Sequence, residues 1–462
     1  MSDDRYRATL DRLFELRRFG LRPGLEVVQG LLGALGHPER SFRSIHVAGS
    51  KGKGSVAAMA ARILTAGGAR VGLFTSPHLR SYRERIQVNG RPIPKSAVVK
   101  GIHRVETIAS RLVSDGTIDR PPTFFETTTA LAFDWFRERR VEHAVVEVGL
   151  GGRLDSTNVL DAPVGVITTI ELEHTEILGP TLTDVAREKA GILHPGMRGV
   201  VGEVGPEALR EIERAASAVG VHLIHLGREI RVDDRSIDPK GQTFSVSTPR
   251  GRKDDLRIPL RGIFQPGNAA LAVAAVEEYA FSTGLALGAD SVRAGLRATR
   301  WRGRLERAAS RPELYLDVAH TPESARVVAQ SLAEIYPFLD PAENVVLFGC
   351  LADKKVEPIF EHLALLATTL VVVPLTPDRA MPVDALKRAG TGRFAKVVVA
   401  PDVPTGLALA RAATGPDGFT LAVGSDYLVG DLLQILEGPG DGEPDLSDPA
   451  PLPTARPAGD RT

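Results

Sequence analysis

The sequence has little of three features that mark particular protein classes. It has one cysteine, Cys350, among 462 residues, so no disulfide can form within the chain and we expect a reducing compartment. No apolar run approaches the roughly 18 residues of a membrane span. The start, Met1-Ser2-Asp3-Asp4-Arg5, lacks the basic and then apolar pattern of a signal peptide. We therefore predict a cytoplasmic protein that does not cross a membrane.

The chain also lacks an excess of charge of either sign. Lys and Arg together number 57, and so do Asp and Glu. A balanced chain has no bulk field to attract nucleic acid or an anionic membrane. We expect neither as a partner, and an anionic ligand must be held by a local site.

The order of apolar runs predicts an α/β fold. A chain of 462 residues is long for one compact core, so two domains are expected. In the first half, apolar runs predict four strands, at 45–48, 71–75, 144–148 and 164–170, with a helix at 56–66 between the first two. A polar stretch at 229–260 predicts a hairpin, and a helix is predicted at 268–280. This alternation predicts a mainly parallel sheet covered by helices.

A second series of strands and helices begins near residue 300. Predicted helices at 356–367 and 426–436 alternate with five predicted strands, which are 314–318, 344–349, 370–374, 396–400 and 419–424. They predict a smaller, Rossmann-like α/β domain. The predicted domain bounds are 1–298 and 299–437. Residues 438–462 are rich in Pro, Gly and Asp, which predicts a disordered tail.

A glycine-rich segment, Gly49-Ser50-Lys51-Gly52-Lys53-Gly54-Ser55, lies between a predicted strand and a predicted helix. Glycines let backbone N–H groups point at a phosphate, and the helix start and Lys53 add positive charge. The spacing departs from the usual P-loop because Gly54 separates Lys53 from Ser55. Taken alone, the segment predicts a phosphate site and leaves a flexible strand–helix connection as the alternative.

The glycine-rich segment and the motifs that follow it resemble the folylpolyglutamate synthase and dihydrofolate synthase family of the Mur-ligase superfamily. The matching motifs occur in the family's order; they lie at 72–79 (GLFTSPHL), 84–86 (ERI), 124–126 (FFE), 147–158 (EVGLGGRLDSTN), 174–179 (HTEILG), 188–192 (EKAGI), 265–270, 303–304, 317–320 (DVAH) and 424–430 (GSDYLVG). Four positions depart from the family pattern: Glu173, Phe264, Thr321 and Lys355.

The resemblance implies an ATP-dependent ligase that joins L-glutamate to folate, to dihydropteroate or to both through an acyl phosphate. It also implies a monomer whose partners are these small molecules. A related amide ligase for another small acid, and a non-catalytic nucleotide-binding module, remain alternatives. A muramyl-peptide ligase needs an extra N-terminal domain, and the 48 residues that precede Gly49 are too few for one.

The resemblance also implies the site residues. ATP contacts fall on the loop residues Gly49, Ser50, Lys51, Gly52, Lys53, Gly54 and Ser55 and on Asn268, Arg304 and Asp317. Two magnesium ions fall on Ser76, Glu147, His174 and a carbamylated Lys189. The catalytic residues are Lys53, Lys189 and His320. The acceptor falls on Phe124, Phe125, Glu126, Leu154, Asp155 and Ser156.

Several of these residues also have structural explanations. Glu147 ends an apolar strand, where a buried carboxylate is costly unless a metal or a cation balances it. A helix cap or salt bridge is its alternative role. Lys189 has the alternative of a surface lysine paired with Glu176 or Glu188, and Phe124 and Phe125 have the alternative of plain core residues.

Overall fold

Sheets with helices on both faces organise both halves of the chain in the computed structural model, which describes residues 3–16, 20, 22–288, 290–376 and 379–438. The larger sheet has eight strands in the order β4-β3-β2-β5-β1-β6-β7-β8. They are β1 (Arg43–Ala48), β2 (Val71–Phe74), β3 (Ile86–Val88), β4 (Arg91–Pro92), β5 (His143–Glu147), β6 (Val164–Ile167), β7 (Arg198–Val201) and β8 (His222–His225). Only β3 and β4 at one edge run antiparallel to their neighbours, so the predicted mainly parallel sheet is confirmed.

Helices cover both faces of this sheet. They are α1 (Asp3–Glu15), α2 (Glu26–Ala34), α3 (Lys53–Ala66), α4 (Lys95–Ser114), α5 (Phe124–Glu138), α6 (Thr175–Leu178), α7 (Leu182–Ala190), α8 (Pro206–Ala218), α9 (Gln265–Thr283) and α10 (Ser291–Ala298). On one face α3, α9 and α10 pack together, and on the other α1, α2, α4 and α5 build a separate apolar core. Because both faces are covered, the central strands read as continuous apolar runs. Among the described residues, no helix is both long and apolar enough to cross a membrane.

The polar stretch predicted as a hairpin forms a three-stranded antiparallel sheet. Its strands are β9 (Arg231–Asp238), β10 (Gly241–Thr248) and β11 (Gly251–Ile258), with β10 in the middle. One face carries buried Phe244, Val246 and Ile258, which extend the core around α3 and α9. The predicted reversal of the chain is therefore correct, and one further strand joins it.

The second sheet has the order β12-β13-β17-β14-β15-β16. Its strands are β12 (Glu306–Ser310), β13 (Glu313–Asp317), β14 (Val345–Phe348), β15 (Thr369–Val372), β16 (Lys396–Val399) and β17 (Phe419–Val423). The surrounding helices are α11 (Pro322–Ile335), α12 (Val356–Leu363), α13 (Val383–Gly390), α14 (Val403–Ala413) and α15 (Asp426–Glu437). Five strands lie where the sequence predicts them, and β12 adds an antiparallel edge.

The connection from α10 to β12 joins the two α/β units. The predicted division after residue 298 falls at the end of α10, and the domain bounds remain a prediction. Most of the predicted tail, from residue 439 onward, lies outside the described residues. In open parallel sheets ligands bind beyond the carboxyl ends of the strands, so the loops after β1, β5 and β6 are the place to look for a site.

Candidate active site

The loop after β1 has the backbone of an anion-binding turn. Gly49 and Gly52 have φ of 143° and 84°, in the region that favours glycine. A Cβ on Gly49 would overlap the side chain of Thr168, and one on Gly52 would lie 2.6 Å from Oδ1 of Asn268. Helix α3 begins at Lys53, and no side chain in the described part of the chain caps it. The first N–H groups of α3 are thus available to an anion such as phosphate.

Residues after β6 hold this loop in place. The backbone N–H of Ser50 donates to the carbonyl of Thr169 at 2.8 Å, and that of Lys51 donates to Thr169 Oγ1 at 2.9 Å. Thr168 Oγ1 donates to the carbonyl of Lys51 at 2.6 Å. Sequence reasoning missed this support, although two threonines directly after a buried strand are a detectable sign of it.

Two lysines converge on one carbonyl of the loop. The Nζ atoms of Lys53 and Lys189 lie 2.9 Å and 3.0 Å from the carbonyl oxygen of Gly49. Lys189 is only 1% exposed, and its Nζ also donates to Glu173 Oε1 at 3.0 Å. Burial, reinforced by the charge of Lys53, lowers the pKa of Lys189 to about 8. The alternative of a surface lysine paired with Glu176 or Glu188 is therefore wrong.

Glu173, which departs from the family pattern, faces the lysines of the loop. Its Oε2 lies 3.9 Å from Lys51 Nζ, while its Oε1 accepts from Lys189. Burial would raise the pKa of Glu173, but Lys189, Lys53 and Lys51 together lower it to about 2. Glu173 is therefore an anion that partly neutralises a cluster of three lysines.

Glu147 ends β5 beside the same loop and is 4% exposed. Its Oε2 accepts the backbone N–H of Ser76 at 3.1 Å. Burial raises the pKa of Glu147, and the charges of Lys53 and Arg304 oppose that rise. A desolvated carboxylate without a direct ion pair is a suitable ligand for a divalent cation.

His174 directly precedes helix α6, has φ of 48°, and is exposed. Desolvation, with Lys189, Lys53 and Lys51 as nearby cations, lowers its pKa, which favours the neutral imidazole that a metal needs. The described residues contain no group of three or more His, Cys, Asp or Glu side chains arranged for a metal ion. Magnesium commonly takes one or two carboxylates and keeps several waters or phosphate oxygens, so the donor set at Glu147 and Ser76 fits that ion.

Three of the predicted site residues lie in the second half of the chain, around the end of β13. Asp317 ends β13, and its two carboxylate oxygens accept from the backbone N–H groups of Leu305 at 2.7 Å and Ala319 at 2.8 Å. Arg304 acts electrostatically on both Glu147 and Asp317. Burial and the charge of Lys51 lower the pKa of His320 to about 4. Charge interactions therefore link Arg304 with Glu147 and His320 with Lys51 across the two halves of the chain.

Asn268 lies near the start of α9, behind the loop. Its Nδ2 donates to Gln265 Oε1 at 3.2 Å, and Gln265 Nε2 donates to Ser55 Oγ at 3.3 Å. Together with its close approach to Gly52, this links α9 to the glycine-rich loop. Asn268 therefore lies beside the glycine-rich loop, and its contact with ATP remains a prediction.

The loop that carries Ser76 also contacts the last described helix. A Cβ on Gly430 of α15 would overlap the carbonyl oxygen of Leu79. Arg80 forms an ion pair with Glu437 at the end of α15, and Arg302 lies 2.5 Å from the same carboxylate. The second α/β unit thus packs directly on the segment next to Ser76.

The predicted acceptor residues at the start of α5 have local partners. Glu126 accepts from the N–H of Thr123 at 2.7 Å and from both terminal nitrogens of Arg120, at 2.8 and 2.9 Å. Phe124 is buried and stacks on Phe14 at 5.5 Å between ring centroids. Phe125 is partly exposed and lies against Gly149. Of these residues, Phe125 is the one that contacts the loop after β5, at Gly149.

Asp155 organises the loop after β5. Its Oδ2 accepts the N–H groups of Gly149 and Leu150, both at 3.0 Å. Its Oδ1 accepts the N–H and the hydroxyl of Thr157 at 3.0 and 2.5 Å. Leu154 is partly exposed and Ser156 is buried on the same loop. The three predicted residues therefore share one tight turn, which Asp155 holds closed.

A buried arginine near this region was missed as a candidate. Arg85 has no exposed surface, its Nε donates to His78 Nδ1 at 2.8 Å, and its guanidinium lies 5.2 Å from the ring centre of Phe124. It also acts electrostatically on Glu147. The signal was present, since Arg85 and His78 both fall in motifs matched to the family.

The comparisons with known proteins define the class first. The family model described as Mur ligase middle domain matches residues 98–276, and the one described as Mur ligase, glutamate ligase domain, matches residues 303–426. The fold and these matches define an ATP-dependent ligase of the Mur type.

Individual relatives narrow the class to a family. The chain is 36% identical to folylpolyglutamate synthase of Lacticaseibacillus casei over 79% of this chain and 84% of the relative. It is 37% identical to dihydrofolate synthase/folylpolyglutamate synthase of Mycobacterium tuberculosis, over 80% and 78%. The solved structure of Mycobacterium tuberculosis folylpolyglutamate synthase complexed with ADP matches with a TM-score of 0.85 and 33% identity, covering 93% of this chain and 99% of that one. The chain belongs to the folylpolyglutamate synthase/dihydrofolate synthase family.

Proposed function

We propose that this enzyme joins the amine of L-glutamate to the carboxylate of folate, of dihydropteroate or of both, with cleavage of ATP to ADP and phosphate. Its relatives carry the names of both activities. The observation that carries the proposal is that the buried carboxylate of Glu147 feels the charges of both Lys53 and Arg304, which come from different α/β units. A ligase needs this arrangement because it must hold a triphosphate and a second anion side by side.

The residues divide this work between the two units. An amide cannot form from a free carboxylate without activation, so we propose that the acceptor carboxylate is phosphorylated and that glutamate then attacks the acyl phosphate. Lys53 and the N–H groups at the start of α3 hold the phosphates. The guanidinium group of Arg304, from the second α/β unit, donates two hydrogen bonds to phosphate oxygens. Asn268 and Asp317 orient the nucleotide, and His320 lies near the phosphate or the incoming glutamate.

Two magnesium ions complete the proposal. Glu147, Ser76 and His174 would hold the first, and the second would fall on a carbamylated Lys189. Magnesium, when bound, neutralises charge on the phosphate oxygens. An amine with a pKa of about 8 is uncharged more often than an ordinary lysine, and carbon dioxide reacts with the uncharged form. The lowered pKa of Lys189 therefore supports the proposal of a carbamate there.

We propose the acceptor site between α5 and the loop after β5. The ring of Phe125, which lies against Gly149, would stack on a flat heterocycle, and Leu154 and Ser156 of the loop would contact the same acceptor. Phe124, Glu126 and Asp155 act there chiefly by shaping the walls, because each already has close protein partners. We further propose that the protein works as a monomer in the cytoplasm.

The decisive experiment is mass analysis of the products. Purified protein is incubated with ATP, Mg²⁺ and L-glutamate, with either dihydropteroate or tetrahydrofolate as acceptor. A gain of one glutamyl unit identifies the accepted acid, and a Lys53→Met variant is the control for ATP chemistry. If neither acceptor gains mass and ADP release does not depend on glutamate, the proposal is wrong and another small acid must be sought.

A further inference from the structure

A fully buried hydrogen-bonded chain runs behind the loop after β5. His46 lies on β1 and Thr157 on that loop, and both have no exposed surface. His46 Nε2 lies 2.8 Å from Thr157 Oγ1, which lies 2.5 Å from Asp155 Oδ1. The three side chains therefore connect the strand that leads into the phosphate loop with the turn of the acceptor site.

The chemistry of the groups fixes the direction of every bond in this chain. An ionised carboxylate only accepts, so the Thr157 hydroxyl must donate to Asp155. Its oxygen then accepts from His46, which must carry a proton on Nε2. His46 Nδ1 is buried without a partner in the described part of the chain, as expected for the unprotonated nitrogen of a neutral ring. Burial also lowers the pKa of His46 to about 3, so the ring stays neutral at working pH.

We propose that His46 and Thr157 are positioning residues of the acceptor site, which fix the Asp155 carboxylate and through it the turn that receives the pteridine-type acceptor. The inference rests on the proposed function, since that function places the acceptor at this turn. Asp155 holds the N–H groups of Gly149 and Leu150 on one oxygen. The bond from Thr157 sets the rotation of the carboxylate, and His46 sets the orientation of the Thr157 hydroxyl.

Substitutions of Thr157 test the chain against a merely structural role. Thr157→Val keeps the shape and removes the hydroxyl, and Thr157→Ser restores it. We expect Thr157→Val to raise the Kd for dihydropteroate about tenfold or more, as for loss of a hydrogen bond to a charged group. Thr157→Ser should recover most of that affinity. The Kd for ADP, measured by calorimetry on the same samples, should change less than about threefold in both variants.

Substitutions of His46 provide a second, independent test. Gln presents its amide nitrogen at about the place of Nε2, whereas Leu presents no donor. His46→Gln should therefore bind dihydropteroate more tightly than His46→Leu, with KM for the acceptor moving and KM for ATP unchanged. Selective ¹⁵N-histidine NMR of the unsubstituted protein, with His46→Gln for assignment, should show a neutral ring protonated on Nε2 at about pH 6, well above the pKa of about 3.

The outcomes separate this inference from the proposed function. If Asp155→Asn weakens acceptor binding but Thr157→Val does not, the positioning role is wrong while the acceptor site stands. If Asp155→Asn also leaves acceptor binding unchanged, the acceptor site is misplaced and the positioning role falls with it. A His46 ring protonated on Nδ1 in the unsubstituted protein would overturn the inference whatever the binding measurements on the other variants show.

Discussion

Replacing Glu173 by glutamine tests how one carboxylate stabilises the lysines around the phosphate loop. Glu173 lies 3.0 Å from Lys189 and 3.9 Å from Lys51. Glutamine keeps the shape of the side chain and removes its charge. In protein prepared without bicarbonate, Lys189 is an unmodified and buried amine, so its ammonium group would then lack a counter-charge in a desolvated place. We expect the folded state to lose stability.

Two limits set the size of that loss. A carboxyl whose pKa falls from 4.5 to about 2 contributes roughly 3.5 kcal/mol at neutral pH, at about 1.4 kcal/mol for each pH unit. The loss is smaller if Lys189 releases its proton when its partner is removed. From a pKa of about 8, that release at pH 7 costs about 1.4 kcal/mol. The expected loss for Glu173→Gln therefore lies between about 1.4 and 3.5 kcal/mol.

The loss must also depend on pH in a definite direction. Because the pKa of Glu173 is lower in the folded state than its ordinary 4.5, its contribution is present above that value. It is lost as the pH falls through about 2, below which the carboxyl is protonated in both the folded and the unfolded state. The difference between the natural protein and Glu173→Gln should be full at pH 7 and should shrink below about pH 4.5.

Urea denaturation followed by circular dichroism measures both effects as midpoint shifts at pH 7 and pH 4. Glu176→Gln is the matched control, because Glu176 is exposed on the neighbouring helix α6 and should cost less than about 0.5 kcal/mol. A Glu173→Gln midpoint equal to that of the control would refute the reasoning. So would a difference that does not narrow in acid.

Three further predictions concern the loop and the metal ligand. Lys53→Met should lower glutamate-dependent ADP release at least about a hundredfold, whereas Lys396→Met, at an exposed strand start, should leave it unchanged. Glu147→Gln should raise the midpoint of thermal unfolding measured without ligands. Burial raises the pKa of the Glu147 carboxyl, so the charge of the carboxylate destabilises the fold at neutral pH. The same substitution should abolish Mg²⁺-dependent turnover. Gly52→Ala should cost about 1–3 kcal/mol, measured by denaturation, because of its positive φ and its approach to Asn268, and ADP binding should weaken with it.

Much of the fold follows from the apolar pattern. The buried strands β1, β5 and β17 are dense in Val, Ile, Leu and Ala, so they were found from the sequence to within about two residues. Strand β12 was missed because Glu306–Ser310 is an edge strand with no β-branched residue and no buried position. Edge strands lack the two-sided burial that makes a strand recognisable.

The site was predictable in its composition and less so in its contacts. Glycines with a lysine, and an acid that ends a strand, point to phosphate and metal chemistry from their types alone. The partner of Lys189 was not predictable from sequence spacing. Glu173 lies 16 positions away, and only the path of the loop after β6 brings its carboxylate to Lys189. Glu126 shows the opposite case, since the Thr123 to Glu126 spacing of a capping box was readable, and both residues form one.

The packing of α15 against the loop beside Ser76 bears on how the chain can be shortened. Removal of the residues after 438 leaves two contacts intact, that of Gly430 with Leu79 and the ion pair of Arg80 with Glu437. Removing α15 as well would uncover Leu79 and release Arg80, and the segment next to Ser76 would lose its support. A shortened enzyme for crystallisation or tagging should therefore keep this last helix, although it belongs to the other half of the molecule.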